Sequence, residues 1–322
     1  MAFETETVLD RRRLRRRLSV WRALAVIAGL VAFGLAVFAS AEGVGLGGKQ
    51  IARVSVEGFI SENRDQLKLL KQLAENKQVA AVILFINSPG GTTTGGEALF
   101  TAIRELAQSK PVVGQMGTVA ASAAYIAGLA TDYIVARGNT VTGSVGVIFQ
   151  WPDVSQLLDK LGVKMNEIKS GPLKANPSPF QPVDEAGKAA AEQMVAESQR
   201  WFVGLVASRR GIDTASVAGL EQGRVYSGRE AVANKLIDQI GGEPEAVQYL
   251  EEKRGIPKGL KVVDFRPRSE SGWGIASLSL SALSRIIAGR AVEAIGRLVG
   301  GDAALGRLRL DGLVSVWQGS ER

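Results

Sequence analysis

The chain has 322 residues, 46% of them hydrophobic, a formal net charge of +7, and neither histidine nor cysteine. This is ample apolar material for a core and too much for a disordered chain. The two absences exclude a Ser-His-Asp triad, a cysteine nucleophile, disulfides and zinc sites of the usual ligand types. Carboxylates, lysine or tyrosine are left as proton acceptors near neutral pH. No acidic cluster suits an all-oxygen metal site, and no cofactor is expected.

The positive charge gathers at the start. Residues 1–22 hold seven arginines against Glu4, Glu6 and Asp10, a net +4 that leaves only +3 for the other 300. A nucleic-acid partner is therefore not expected. From Ala23 to Ala41 there follow 19 uncharged residues, which as a helix would span roughly 28 Å, near the thickness of bilayer hydrocarbon. With arginines on its N-terminal side, this segment is expected to anchor the chain in a membrane, N-terminus inside and everything after about residue 42 outside. A buried core helix and a cleaved signal peptide ending at Ala39-Ser40-Ala41 are the competing readings. The expected organisation is a basic tail over 1–22, an anchor over 23–41, a glycine-rich linker over 42–50, a folded domain over 51–265 and a C-terminal extension over 266–322.

Within the domain, strand and helix patterns alternate. Ile51–Val56 alternates apolar and polar residues and is expected to end at Gly58; Leu67–Leu73 carries a helical stripe. Val79–Ile86 is a nearly continuous apolar run, as in a strand buried on both faces. Helices are expected near Gly96–Gln108 and Ser122–Ala130, strands at Val112–Met116 and Tyr133–Ala136, and one long helix from Asp184 to Arg210 closed by Gly211. Repeated βα units of this length predict an α/β fold with a mostly parallel sheet. Ile275–Val299 reads as an amphipathic helix, on the domain surface, a neighbouring subunit or a membrane surface.

Three glycine-rich stretches each follow a strand. Asn87-Ser-Pro-Gly-Gly91 is either an ordinary tight turn or a loop that points amide groups into a cleft. In Gln115-Met-Gly-Thr-Val-Ala-Ala-Ser122-Ala-Ala-Tyr125, Ser122 stands where a helix begins, a position that often means only an N-cap. Flanking alanines leave room for a substrate backbone, and a helix start favours a developing oxyanion; this is not the GxSxG elbow. The third stretch is Thr140-Val-Thr-Gly-Ser144-Val-Gly-Val147, and after it comes Lys169-Ser-Gly-Pro-Leu-Lys174-Ala-Asn-Pro-Ser-Pro-Phe180, where Lys174 lies among prolines and apolar residues.

In this order INSPGG, GTVAASAAY, TGSVGV and SGPLKANPSPF resemble the signal peptide peptidase A family of membrane-bound serine peptidases, in its short single-domain form; GRVYSGREA at 223–231 and Leu236-Ile-Asp238 look like its later signature. The resemblance covers about residues 51–245 and the N-terminal anchor. It implies a Clp-protease/crotonase-like fold with an N-terminal transmembrane helix, in a bacterial cytoplasmic membrane with the catalytic domain extracytoplasmic. It also implies Ser122 as nucleophile, Lys174 as base, Ser144 as the hydroxyl that orients the lysine, and Gly91 with Ala123 as the oxyanion hole. Ala123-Ala124 stand where the family often has Gly-Gly, which narrows the cleft. Lysine in water is protonated at neutral pH, so such a dyad needs burial that favours the neutral amine. The implied partners are extended apolar peptides such as remnant signal peptides, the membrane, and further copies of the chain in a ring. A crotonase-like acyl-CoA enzyme and an inactive membrane scaffold of the same fold are the alternatives.

Overall fold

The computed structural model describes residues 20–30, 48–267 and 314–316. The chain divides into two compact units, Met1–Lys49 and Gln50–Arg322. In the first, residues 20–30 form an exposed helix, α1. Among the described residues no helix is long and apolar enough to cross a membrane. The segment expected as an anchor continues to residue 41, and its part beyond residue 30 lies outside the described residues, as does the expected amphipathic segment at 275–299.

The second unit is built on one twisted sheet. Its strands are β1 (Gln50–Ile60), β2 (Val79–Thr92), β3 (Val112–Ala121), β4 (Tyr133–Ala136), β5 (Val141–Gly143), β6 (Val225–Ser227), β7 (Gln239–Ile240), β8 (Val262–Phe265) and β9 (Val314–Val316). Its helices are α2 (Arg64–Glu75), α3 (Thr93–Ser109), α4 (Ala123–Leu129), α5 (Ser155–Lys160), α6 (Glu185–Arg210), α7 (Gly228–Ala233) and α8 (Glu243–Arg254). The strand order is β6-β5-β3-β2-β1-β8, with β4 also on β3, β7 on β4 and β9 on β2. Pairing is parallel except for β5 with β6 and β9 with β2.

The apolar run of β2 is buried on both faces. Val82, Leu84 and Ile86 meet Val54, Val56 and Met116 in the main core, beneath α2, α3, α4 and α6. Ala81 and Ile83 face the other way, with Ile51, Val113 and Val135, against Ala246 and Leu250 of α8. Every residue of α4 is buried, and its small side chains allow this. A methyl on Gly128 would come within 2.8 Å of the Met116 terminus. The long helix α6 begins at its cap Asp184, whose carboxylate accepts from the Gly187 N–H, and ends at Gly211 with φ 62°, as expected.

One departure from a regular sheet sets the geometry of everything after it. Ile86 pairs with Met116, yet Ser88 pairs with Ala120. Two steps of β2 thus face four of β3, and Gly117–Val119 bulge out. The Asn87 side-chain oxygen accepts from the backbone N–H groups of Thr118 (3.1 Å) and Val119 (3.2 Å) and holds the bulge. At this point β3 also changes its outer neighbour. Before the bulge it runs beside β4, from Val113–Tyr133 to Met116–Ala136. After it β3 runs beside β5, from Val119–Val141 to Ala121–Gly143.

Replacing Asn87 with alanine would leave two backbone donors without their acceptor. The expected loss is about 1–3 kcal/mol of unfolding free energy, read by urea denaturation. A variant as stable as the parent would show that the bulge does not need this side chain.

Candidate active site

Ser122 is the first residue past β3. Its backbone is held at φ 59°, ψ −122°, and its hydroxyl does not cap α4. The N-cap explanation of this serine therefore fails. A non-glycine residue in this conformation costs about 1–3 kcal/mol, and the surrounding bonds enforce it. The Ser122 N–H donates to the Gly143 carbonyl (2.9 Å), and the Ser122 carbonyl accepts from the Ile126 N–H (3.1 Å). A sharp, strained turn from strand to helix that carries a serine is the local geometry of a nucleophile elbow, reached here without its glycines.

Ser144 is brought beside it by the sheet. Ala121 pairs with Gly143, so Ser122 and Ser144 each stand one residue beyond a paired position on neighbouring strands. Ser144 is also held at positive φ, 52°, is buried, and donates its N–H to the Arg224 carbonyl at 2.9 Å. Gly143 has φ 83°, and a β-carbon there would lie 2.7 Å from the Tyr226 ring, so only glycine serves. The Thr142 hydroxyl donates to the Ala120 carbonyl at 2.7 Å, which ties the two strand ends together once more.

Gln199 on α6 completes this tie and was not singled out from the sequence. Its amide nitrogen donates to the carbonyls of Val145 (3.1 Å) and Glu221 (3.0 Å). A lone glutamine in a long helix gives no signal of that role.

Gly91 does not sit in a turn. β2 continues through Asn87–Gly91 to Thr92, with Gly90 and Gly91 paired to Phe59 and Ile60 of β1. A β-carbon on Gly91 would fall 1.8 Å from the Ile60 carbonyl oxygen, a close approach that no other residue permits. The Ser88 hydroxyl accepts from the Gly90 N–H at 3.1 Å. Ala123, at the start of α4, is fully buried. Its methyl lies against α3, 3.2 Å from where a β-carbon of Gly96 would be.

Lys174 is placed differently. It lies on an exposed loop, where its backbone N–H donates to the Gly171 carbonyl at 3.2 Å. The loop itself is tethered. The Asn176 amide donates to the Asp184 carboxylate (2.9 Å), which also caps α6. Those two bonds hold the Asp184 carboxyl below its usual range, the Gly187 N–H contributing most. The Val154 N–H donates to the Pro179 carbonyl at 2.9 Å. The stretch of chain that carries this loop is rich in exposed apolar side chains. Ten exposed large apolar side chains fall between Ile148 and Met194, among them Leu157, Leu161, Leu173 and Phe180. Only Phe59 and Ile240 are exposed elsewhere in 48–267.

The family model for peptidase family S49 matches residues 104–257, and that for Clp protease matches residues 53–136. The mixed α/β unit is thus Clp-protease-like. A protein of Methanocaldococcus jannaschii named as a protease is 34% identical over 193 residues, 60% of this chain and 62% of its own length. One of Synechocystis, also named as a protease, is 31% identical over 210 residues, 65% of this chain and 76% of its own. One of Enterococcus faecium, named as a signal peptide peptidase, is 36% identical over 230 residues, 66% of each chain. The chain thus spans somewhat less than two thirds of the archaeal and enterococcal relatives and three quarters of the cyanobacterial one.

The strain at Ser122 is directly measurable. Glycine accepts φ 59° without penalty and alanine does not. Ser122→Gly should therefore be more stable than Ser122→Ala by about 1 kcal/mol in urea denaturation. Equal stabilities would show that the turn relaxes and stores no strain.

Proposed function

The chain belongs to peptidase family S49, and from that premise we propose that it is a membrane-anchored serine peptidase with Ser122 as nucleophile and Lys174 as general base. The observation that carries this reading is the backbone of Ser122. It is a serine kept in a costly conformation at a strand-to-helix turn, with its hydroxyl not used as a cap. Ser144 at the adjacent strand end supplies a neutral hydroxyl to orient the lysine amine. The amides of Gly91 and Ala123 are the proposed oxyanion donors.

The chemistry follows from these roles. Neutral Lys174 takes the Ser122 proton as the serine oxygen attacks a peptide carbonyl, and the amides stabilise the tetrahedral oxyanion. The lysine ammonium then gives its proton to the leaving amine, which departs as an acyl-enzyme forms. Water, deprotonated by the same amine, releases the acyl group. The reaction requires no cofactor. The proposed substrates are extended apolar peptides, among them remnant signal peptides, held by strand addition beside Gly91.

On this reading the dyad is shared between subunits. Within one chain Lys174 stays on an exposed loop, and ten exposed large apolar side chains lie in the stretch Ile148–Met194 that contains it. Packing this surface against a second copy would bury both, and burial favours the neutral amine. A closed ring of such contacts satisfies every subunit alike. Arginines before Ala23 and the 19 uncharged residues to Ala41 support an anchor with the peptidase outside a bacterial cytoplasmic membrane. An acyl-CoA enzyme would have to work where its substrates are absent.

Subunit mixing tests the shared dyad. Ser122→Ala and Lys174→Ala rings should each be inactive toward an uncharged peptide substrate. Mixed rings, formed by co-expression, should regain part of the activity, because some sites then pair an intact serine with an intact lysine. Inactive mixtures in demonstrably mixed rings would place the dyad within one chain. Substantial turnover by Ser122→Ala alone would remove Ser122 from the mechanism.

A further inference from the structure

Ser144 stands just past the end of a strand ladder. β5 and β6 pair as far as Gly143 with Val225, and beyond that pair the Ser144 N–H donates to the Arg224 carbonyl at 2.9 Å. Arg224 belongs to a closed turn: its N–H donates to the Gly219 carbonyl (3.1 Å), and the Gly223 N–H donates to the Leu220 carbonyl (3.2 Å). Gln199 reaches both sides of this arrangement. Its amide nitrogen donates to the carbonyl of Val145, directly after Ser144, and to that of Glu221, inside the closed turn. One carboxamide thus holds together the two segments that frame Ser144.

That carboxamide has a firm base. Gln199 lies three residues before Phe202 and seven before Val206, spacings that share one helix face. Both of those side chains are fully buried, in the same core as α4. Chemistry fixes which end of the amide faces the loop, because turning it over would set an oxygen against two carbonyl oxygens. The Gln199 Oε1 is buried and has no hydrogen-bond partner among the described residues. An unpaired buried acceptor is a cost, so the carboxamide is kept there for its two N–H donors.

We propose that Gln199 is a positioning residue for the reaction: it holds the backbone on both sides of Ser144 and so fixes the hydroxyl that orients the lysine amine. This rests on the peptidase reading and adds a residue to it. Ser144 is held at φ 52°, outside the range of an ordinary strand, and its hydroxyl turns with that backbone. Release of Val145 and Glu221 lets the backbone relax. The lysine then meets its hydroxyl partner out of line, and proton transfer from Ser122 slows. Peptide binding beside Gly91, on another strand, does not depend on this contact.

Two variants test this. Gln199→Met keeps the length of the side chain and removes both donors; Gln199→Glu keeps the shape and replaces the donors with an acceptor. In each, kcat per titrated Ser122 should fall at least about tenfold, as misplacement of a catalytic contact does, with KM for an uncharged peptide little changed. A residue that served stability alone would lower the titratable fraction and leave the remaining sites as fast as in the parent. That result would overturn the proposal, as would loss of folding in both variants. A double-mutant cycle on the rate of Ser122 labelling by a fluorophosphonate is the sharper comparison. In the Ser144→Ala chain there is no hydroxyl to position, so Gln199→Met should slow labelling further by less than about twofold. An undiminished loss there would show that Gln199 does not act through Ser144.

Amide exchange separates this outcome from failure of the peptidase reading. The Ser144 N–H should exchange faster in Gln199→Met than in the parent, whether or not either form cleaves peptides. Equal exchange would show that Gln199 does not hold Ser144 and would overturn the proposal. Faster exchange, in a parent chain that neither cleaves peptides nor labels at Ser122, would leave the bonds standing and discard the peptidase together with the positioning role.

Discussion

The parting of β2 and β3 is the constraint on which the site depends. A regular parallel pair would have carried both strands forward side by side and left no gap. Instead three residues of β3, Gly117–Val119, stand against Asn87 alone on β2, and the Asn87 side-chain oxygen accepts two of the freed N–H groups. Three consequences follow from this single irregularity. β3 reaches β5, which brings Ser144 beside Ser122. Ser122 arrives at the start of α4 in a turn that an unbent strand would not make. The end of β2 keeps one open edge, which receives β9.

Around that irregularity the chain spends its rigid elements on position. Glycines at 91 and 143 allow approaches that a β-carbon would block at 1.8 and 2.7 Å, and Gln199 fixes the loop after Ser144 from α6. The nucleophile and its proposed hydroxyl partner are thereby set on strand ends, where geometry is held tightly. Lys174 is the exception. Its loop is fastened at Asn176 and Pro179, yet its side chain remains in solvent in a single chain. A base that must be neutral to act needs apolar cover, and under the proposed mechanism a second subunit supplies it.

Much of the fold was legible in sequence because burial leaves periodicity. The run Val79–Ile86, the stripe of α2 and the capped helix from Asp184 to Gly211 all stand as expected. The expected turn at Asn87–Gly91 does not. Proline and two glycines suggest a turn, but Pro89 falls where the ladder has no pair on any side, between Asn87 or Ser88 and Gly90, so the missing N–H costs nothing there. β1 likewise runs past Gly58, which has φ 69° at a register shift. The strain at Ser122 had no signature, since alanines flank it where glycines would have revealed a tight turn. That Ser122 and Ser144 belong together depends on one cross-strand pair, which no local pattern encodes. The Pro-rich, apolar surroundings of Lys174 were visible, but whether they formed a core or a surface was not.

The most direct test of the central claim is labelling with a fluorophosphonate probe, followed by mass spectrometry of the adduct. Ser122 acting as a lysine-activated nucleophile predicts a single phosphonylated peptide carrying Ser122. That adduct should disappear in Ser122→Ala and fall by at least about a hundredfold in Lys174→Ala, the contribution expected of a general base. An adduct on another serine, or labelling of Ser122 that is indifferent to Lys174→Ala, would contradict the account.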